Sequence, residues 1–215
     1  MPVLKICGLT RAEDYAEALR LGVSYTGFIF YTPSPRNISL EAAKKIASGA
    51  PKNAPPRVGI FVNEDPEVIR RIFREVPLDI VQLHGDETPA YAKALALPYW
   101  KVIRLKVERP LDALKDFETD TFLIDAFHKD LYGGSGSRIQ PELIRLALER
   151  GHALGKKIIV AGGVNAENIS EILALSPDGV DVNSGVEKSP GLKDPEKMRA
   201  LIFSVRGAPP RSPQE

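Results

Sequence analysis

The feature that most constrains the fold is a repeat of short apolar runs, each followed by a turn signal and a longer stretch with helical periodicity. This alternation is typical of βα units. Eight such units leave almost no sequence over, which favours one closed (β/α)₈ barrel over an open doubly wound sheet. The eight runs are 3–7, 26–30, 57–62, 79–83, 101–105, 121–125, 157–161 and 179–183.

The stretches between the runs predict amphipathic helices, several of which begin at a proline. No GxGxxG follows the first run, and glycine-rich turns instead follow runs six, seven and eight, which again favours the barrel. We predict a barrel domain over 1–206 and a frayed tail over 207–215. The predicted helices are 12–21, 40–47, 66–75, 89–96, 141–154 and 166–175, and Pro66, Pro89, Pro141 and Pro195 are predicted first helical residues.

Charge and cysteine content exclude several classes of protein. Lysine and arginine number 29 against 28 acidic residues, so no global charge favours binding to nucleic acid or to a membrane surface. The single cysteine cannot form an internal disulfide, and no Cys/His cluster predicts a zinc site. No run of 18 apolar residues or signal-peptide pattern occurs. We therefore expect a cytoplasmic protein, in which any anionic ligand is bound by a few local groups and not by the overall charge.

The active site of such a barrel lies at the carboxyl ends of its strands. Strand alternation places Cys7 with Lys5 on the inward face, and Asp125 with Leu123, so Cys7 and Asp125 should face each other across a pocket. Taken singly, Cys7 could be a packed small hydrophobe and Asp125 a helix cap or loop hydrogen-bonder. The polar residues at the run ends are Cys7, Asn63, His84, Asp125 and Asn183, with Arg36 in the loop after the second run.

Two glycine turns, Gly162-Gly163 and Ser184-Gly185, follow the last two runs. They could be tight connections only, or they could bind phosphate through backbone N–H groups, as the corresponding barrel loops often do. The glycine-rich segment 133–137 is either a flexible linker or a lid over the pocket. Arg36 is by default a solvated surface charge, and its place on the same rim makes it a candidate ligand-binding residue.

Two further expectations concern charged and metal-binding groups. Lys5 and Asp181 are charges inside apolar runs, and they should form a salt bridge because an unpaired buried charge is too costly. The three histidines, His84, His128 and His152, fall in separate places with no carboxylate cluster beside them. We therefore expect no metal site and assign these histidines hydrogen-bonding or surface roles.

Between Lys5 and about Ile202 the sequence resembles the phosphoribosylanthranilate isomerases, which are (β/α)₈ enzymes of tryptophan biosynthesis. The order and strand-end positions of the motifs make the resemblance specific. The motifs are Lys5-Ile6-Cys7-Gly8-Leu9-Thr10, Gly27-Phe28-Ile29-Phe30, Ser34-Pro35-Arg36, Val58-Gly59-Ile60-Phe61-Val62-Asn63, Val81-Gln82-Leu83-His84-Gly85, Leu123-Ile124-Asp125-Ala126, Gly133-Gly134-Ser135-Gly136, Ala161-Gly162-Gly163-Val164 and Asp181-Val182-Asn183-Ser184-Gly185-Val186-Glu187.

The resemblance implies an Amadori rearrangement of N-(5-phosphoribosyl)anthranilate to 1-(2-carboxyphenylamino)-1-deoxyribulose 5-phosphate, with no cofactor. It implies that Asp125 is the general acid that opens the furanose ring and that Cys7 is the base that removes the C2 proton. It also assigns the anthranilate carboxylate to Arg36. The phosphate is assigned to Gly162, Gly163, Ser184 and Gly185, with Asn183 also in the substrate-binding set.

These roles set opposite requirements for the two groups. A free thiol with a pKa of about 8.5 is mostly protonated at neutral pH, so we expect cationic or N–H groups that lower the pKa of Cys7. An aspartic acid with an ordinary pKa of about 3.9 is ionised at neutral pH, so the acid is expected to be buried.

The chain departs from the family pattern in two places. The aromatic and acidic segment that usually follows the glycine loop reads Ser137-Arg138-Ile139-Gln140, and the usual Val-Ser-Ser-Gly reads Val182-Asn183-Ser184-Gly185. The alternatives are another phosphosugar isomerase or epimerase, or a non-catalytic phosphosugar-binding barrel. The metal-binding histidines of an epimerase, and the lysine and glutamates of an indole-glycerol-phosphate synthase, are missing from the run ends. A monomer and a homodimer both remain open.

Overall fold

Eight parallel strands, hydrogen-bonded in chain order, close into a barrel in the computed structural model, which describes residues 2–126 and 138–206. The last strand pairs with the first along four residues of each, which completes the closure. The predicted barrel is therefore confirmed. The strands are β1 (Val3–Ile6), β2 (Tyr25–Ile29), β3 (Arg57–Phe61), β4 (Ile80–Leu83), β5 (Tyr99–Leu105), β6 (Thr121–Ala126), β7 (Lys157–Val160) and β8 (Gly179–Val182).

Helices follow the strands, and four of them begin at the predicted prolines. The Asp65 carboxylate accepts hydrogen bonds from the N–H groups of the first turn, and the Thr88 hydroxyl does the same for the next helix. The helices are α1 (Ala12–Arg20), α2 (Leu40–Ser48), α3 (Pro66–Glu75), α4 (Pro89–Leu95), α5 (Pro141–Ala153), α6 (Ile169–Leu173) and α7 (Pro195–Arg206), with a 3₁₀ helix (Arg109–Lys115) between β5 and β6.

Helix α6 is shorter than the predicted 166–175. The side chains of Asn165 and Asn168 bond the backbone of the preceding turn: Asn165 Oδ1 accepts from Glu167 N–H, and Asn168 Oδ1 accepts from Asn165 N–H. Such local side-chain bonds compete with the helical pattern and delay its start.

The strands separate two apolar layers. Leu4 and Ile6 of β1 pack outward, in the layer between strands and helices, whereas Cys7 packs inward. In β6, Ile124 packs outward and Leu123 packs inward. The face assignment made from alternation is therefore confirmed. The inward apolar group consists of Cys7, Ile29, Val58, Ile60, Trp100, Val102, Leu123 and Ile159.

A small antiparallel hairpin of β9 (Glu187–Ser189) and β10 (Leu192–Lys193) follows β8, and the sequence did not predict it. Its strands are too short and too polar to show alternation. Within the described residues, no helix is long and apolar enough to cross a membrane. The predicted tail 207–215 and the segment 133–137 lie outside the described residues.

Candidate active site

A pocket opens at the carboxyl ends of the strands and encloses about 650 Å³, counting the space open to solvent at its mouth. Its wall brings together nearly all the predicted site residues, whereas Asn63 is exposed and bonded within a neighbouring loop. The predicted residues on the wall are Cys7, Arg36, Asp125, Gly162, Gly163, Asn183 and Ser184.

Cys7 is the inward residue that follows β1, and its side chain is buried. Gly27 leaves room for it, since a Cβ on Gly27 would lie 3.0 Å from the Cys7 sulfur. Burial raises the pKa of the Cys7 thiol, and the nearby Lys5 and Lys193 cations oppose the rise without cancelling it. The predicted cations are present and act to lower the thiol pKa, but the net shift is upward because burial outweighs them.

Lys5 and Asp181 form the predicted salt bridge inside the barrel. Lys5 Nζ donates to Asp181 Oδ2 over 2.9 Å, and the two residues are partners in the register of β1 and β8. Burial acts against the charge on Lys5, but Asp181 and Cys7 together outweigh it and raise the pKa of Lys5. The charge of Lys5 therefore acts on the neighbouring Cys7 thiol.

Asp125, near the end of β6, is also buried, and its two oxygens have different partners. Oδ1 accepts a hydrogen bond from the N–H of Ala126 over 2.8 Å, while Oδ2 lies 3.2 Å from Nε2 of His84. Gly162 packs against this carboxyl group: its φ is 79°, and a Cβ there would lie 2.7 Å from Oδ1. The glycine turn after β7 therefore also makes room for the acid.

His84 is a pocket residue that sequence reasoning assigned only a hydrogen-bonding or surface role. His84 lies against Asp125, a contact that the sequence did not predict, although it is not aligned as a hydrogen bond. Gln82 Nε2 lies 3.2 Å from Nδ1 of the same ring. The available signal was strand alternation, which puts Gln82 and His84 on the inward face of one strand.

Among the described residues, no three histidine, cysteine or acidic side chains come together as a metal site. His152 pairs with Asp178 on the outside of the barrel, at 2.9 Å and away from the pocket. His128 lies outside the described residues.

Arg36 is buried, so the interpretation of it as a solvated surface charge is wrong. Its guanidinium forms an ion pair with Glu187 of the hairpin, which in turn accepts from Lys193 Nζ over 3.0 Å. Burial acts against the charge on Glu187, but Arg36 and Lys193 hold the pKa of its carboxyl below the ordinary value. Lys193 also donates to the Asn183 side-chain oxygen over 2.9 Å.

The two glycine turns lie side by side at the pocket. An isolated bridge joins Asn165 to Gly185, and a Cβ on Gly185 would lie 1.9 Å from the Val164 carbonyl oxygen. Gly185 is therefore required for the close approach of the two turns, and it is not itself on the pocket wall. Gly162 and Gly163 both have positive φ, and no hydrogen bond joins their N–H groups to another residue of the described chain.

A family model described as N-(5'phosphoribosyl)anthranilate (PRA) isomerase matches residues 4–203. The chain is also similar to the N-(5'-phosphoribosyl)anthranilate isomerase of Trichlorobacter lovleyi, at 40% identity over 206 residues that cover 95% of this chain and 98% of the relative.

Two solved structures resemble the barrel closely. One is a phosphoribosyl anthranilate isomerase in complex with reduced 1-(o-carboxyphenylamino)-1-deoxyribulose 5-phosphate, with 34% identity and a TM-score of 0.83 over 97% of this chain and 100% of that one. The other contains monomers generated from the dimeric phosphoribosylanthranilate isomerase of Thermotoga maritima, with 33% identity and a TM-score of 0.83 at the same coverage.

Proposed function

The chain belongs to the N-(5'-phosphoribosyl)anthranilate isomerase family, and we propose that Asp125 and Cys7 are the acid and the base of its reaction. The enzyme catalyses the Amadori rearrangement of N-(5-phosphoribosyl)anthranilate to 1-(2-carboxyphenylamino)-1-deoxyribulose 5-phosphate in tryptophan biosynthesis. Family membership removes the epimerase and the non-catalytic binding barrel as alternatives.

In the first step Asp125 gives its proton to the furanose ring oxygen. The bond from C1 to that oxygen breaks, and the anilino nitrogen supplies the electron pair that forms a protonated Schiff base. Cys7 as thiolate then removes the proton from C2, which gives an enolamine. A proton gained at C1 and one lost from the C2 hydroxyl convert the enolamine to the 2-ketose product.

The observation that supports this assignment is that Cys7 and Asp125 line one pocket from well-separated strands, β1 and β6. An acid for the ring oxygen and a base for C2 must reach different atoms of one sugar. His84 follows β4, on the same side of the barrel as β6. It therefore lies with the acid, which leaves Cys7 as the candidate base from β1.

Arg36 lines the same pocket, and we assign it the anthranilate carboxylate. Replacing Arg36 with alanine should weaken binding of the reduced product analogue by about 10- to 150-fold, the effect of losing a charge-assisted hydrogen bond worth roughly 1.5–3 kcal/mol. Isothermal calorimetry measures the change. Unchanged affinity in a folded variant would remove Arg36 from the ligand site.

The Gly162-Gly163 and Ser184-Gly185 turns are assigned to the substrate phosphate, with Asn183 beside them. Since backbone N–H groups bind any tetrahedral dianion, inorganic phosphate should compete with the substrate. We expect KM to rise with phosphate concentration while kcat stays constant. Steady-state kinetics in matched ionic strength measure this, and no competition at tens of millimolar phosphate would refute the site.

We further propose a cytoplasmic location, on the basis of a single cysteine that is buried and free. The chain is a monomer or a homodimer, and sedimentation of the purified protein distinguishes the two.

A further inference from the structure

The carboxylate of Glu187 binds the guanidinium of Arg36 through several hydrogen bonds. Nε of Arg36 donates to Glu187 Oε1 over 2.9 Å and to Oε2 over 3.1 Å, and Nη2 donates to Oε2 over 2.8 Å. Arg36 lines the pocket, whereas Glu187 is absent from its wall. Glu187 therefore lies behind Arg36 and touches no ligand in the pocket directly.

This bidentate contact between Arg36 and Glu187, called the fork below, uses one edge of the guanidinium. An arginine carries five N–H donors in a rigid plane, which can offer a carboxylate either the Nε and Nη2 edge or the Nη1 and Nη2 end. Glu187 occupies the first edge. The Nη1 and Nη2 end of the guanidinium therefore remains to donate two hydrogen bonds to a second carboxylate.

The rest of the surroundings fixes both partners. Glu187 Oε1 also accepts from Lys193 Nζ over 3.0 Å and from the N–H of Gly191 over 3.2 Å. On the other side, Gly8 has a φ of 69°, and a Cβ there would lie 3.1 Å from the Cδ of Arg36. The side chains of Arg36, Glu187 and Lys193 are all buried, so neither member of the fork can swing out into solvent without losing its partners.

We propose that Glu187 is a positioning residue that turns the end of the Arg36 guanidinium into the pocket and thereby sets the preference for substrates with a carboxylate on the aromatic ring. The inference rests on the proposed role of Arg36 as the carboxylate partner. Glu187 is separated from Arg36 by 151 positions, and the hairpin of β9 and β10 brings the two together.

Replacing Glu187 with glutamine tests the proposal, because the shape is kept and one acceptor oxygen is lost. The two oxygens of Glu187 both receive cationic donors, from Arg36 on each and from Lys193 on Oε1. A glutamine must therefore direct its NH₂ group at one of these cations, which breaks the fork. The readout is the ratio of the dissociation constants of two probes: the reduced product analogue and the same compound with phenyl in place of carboxyphenyl.

We expect Glu187→Gln to lower the preference for the carboxylated probe about tenfold, the scale of a hydrogen bond between charged groups. The double variant Arg36→Ala/Glu187→Gln should have the same preference as Arg36→Ala alone, because the two residues act as one unit. A loss of affinity that is equal for both probes would mean a purely structural role and would overturn the proposal.

Glu87→Gln is the matched control, since Glu87 forms a similarly buried ion pair with Lys101 at 2.7 Å, away from Arg36. It should leave the probe preference unchanged, and a drop equal to that of Glu187→Gln would refute a specific effect. If Arg36→Ala lowers the preference and Glu187→Gln does not, the positioning proposal is wrong while the role of Arg36 stands. If Arg36→Ala itself has no effect on the preference, the carboxylate assignment is wrong and the positioning proposal falls with it.

If the Glu187→Gln variant does not fold, the same measurement is made on Glu187→Asp. It keeps both acceptor oxygens and the charge but withdraws the carboxylate from Arg36. We expect a smaller loss of preference than for glutamine, again confined to the carboxylated probe. A folded Glu187→Asp enzyme with full preference for that probe would overturn the proposal.

Discussion

Replacing Cys7 with serine is expected to lower kcat by at least about 10²-fold, because a serine hydroxyl is far too weakly acidic to supply the base for C2. The substitution keeps the size of the side chain, so the buried position after β1 remains filled. Loss of substrate fluorescence at saturating substrate concentration measures the effect.

Two controls separate a lost base from a damaged fold. Circular dichroism should show an unchanged barrel, and the Cys7→Ser variant should still bind the reduced product analogue, since the thiol is not assigned a binding role. Near-wild-type turnover in the folded variant would remove Cys7 from the mechanism. Cys7 would then be a packed core residue, as its burial alone would also allow.

Replacing Asp125 with asparagine should likewise lower kcat by at least about 10²-fold, because the amide keeps the shape and has no carboxylic proton to give. Ring opening also proceeds slowly in solution, so this variant should retain more activity than Cys7→Ser. The Asp120→Asn variant is the matched control, since Asp120 is exposed just before β6 begins. Its activity should equal that of the wild type.

The pH profile of kcat/KM provides a second measurement on the same variant. The thiol acts only after losing its proton, so its contribution rises with pH, and burial of Cys7 moves that rise above the range of an exposed thiol. The acid acts only while protonated, so its contribution falls with pH. The wild type should give a bell whose limbs belong to the coupled pair. Asp125→Asn should lose the descending limb, and a bell retained in that variant would contradict the assignment.

The architecture could be predicted from the sequence because each βα unit carries its own signal. The strands have β-branched and aromatic runs, and four helices have a proline at their first position. Alternation then placed Cys7 and Asp125 inward, and both lie on the pocket wall. Strand alternation and helix-start signals depend only on neighbouring residues, so they are the same in the closed barrel as in an isolated βα unit.

The contacts that could not be predicted join residues distant in the chain. Arg36 and Glu187 lie 151 positions apart, and their ion pair depends on a hairpin too short to leave a pattern. The contact of His84 with Asp125 follows from the order of β4, β5 and β6 in the barrel, which no pattern within a single strand shows.

The pKa of Cys7 could not be predicted for a related reason. The sequence places cations near the thiol, but the balance between Lys5, Lys193 and burial depends on how completely the barrel excludes water. We expect the positive charge of the protonated Schiff base, which forms in the same pocket, to favour the thiolate at the step that needs the base.

The most direct test compares the purified wild-type enzyme with the double variant Cys7→Ser/Asp125→Asn, both treated with EDTA, by the initial loss of phosphoribosylanthranilate fluorescence. We expect rapid, protein-dependent loss with the wild type and a rate at the uncatalysed background with the folded double variant. Equal rates for the two proteins, or wild-type activity that disappears with EDTA and returns with zinc or manganese, would contradict a rearrangement carried by this acid and base.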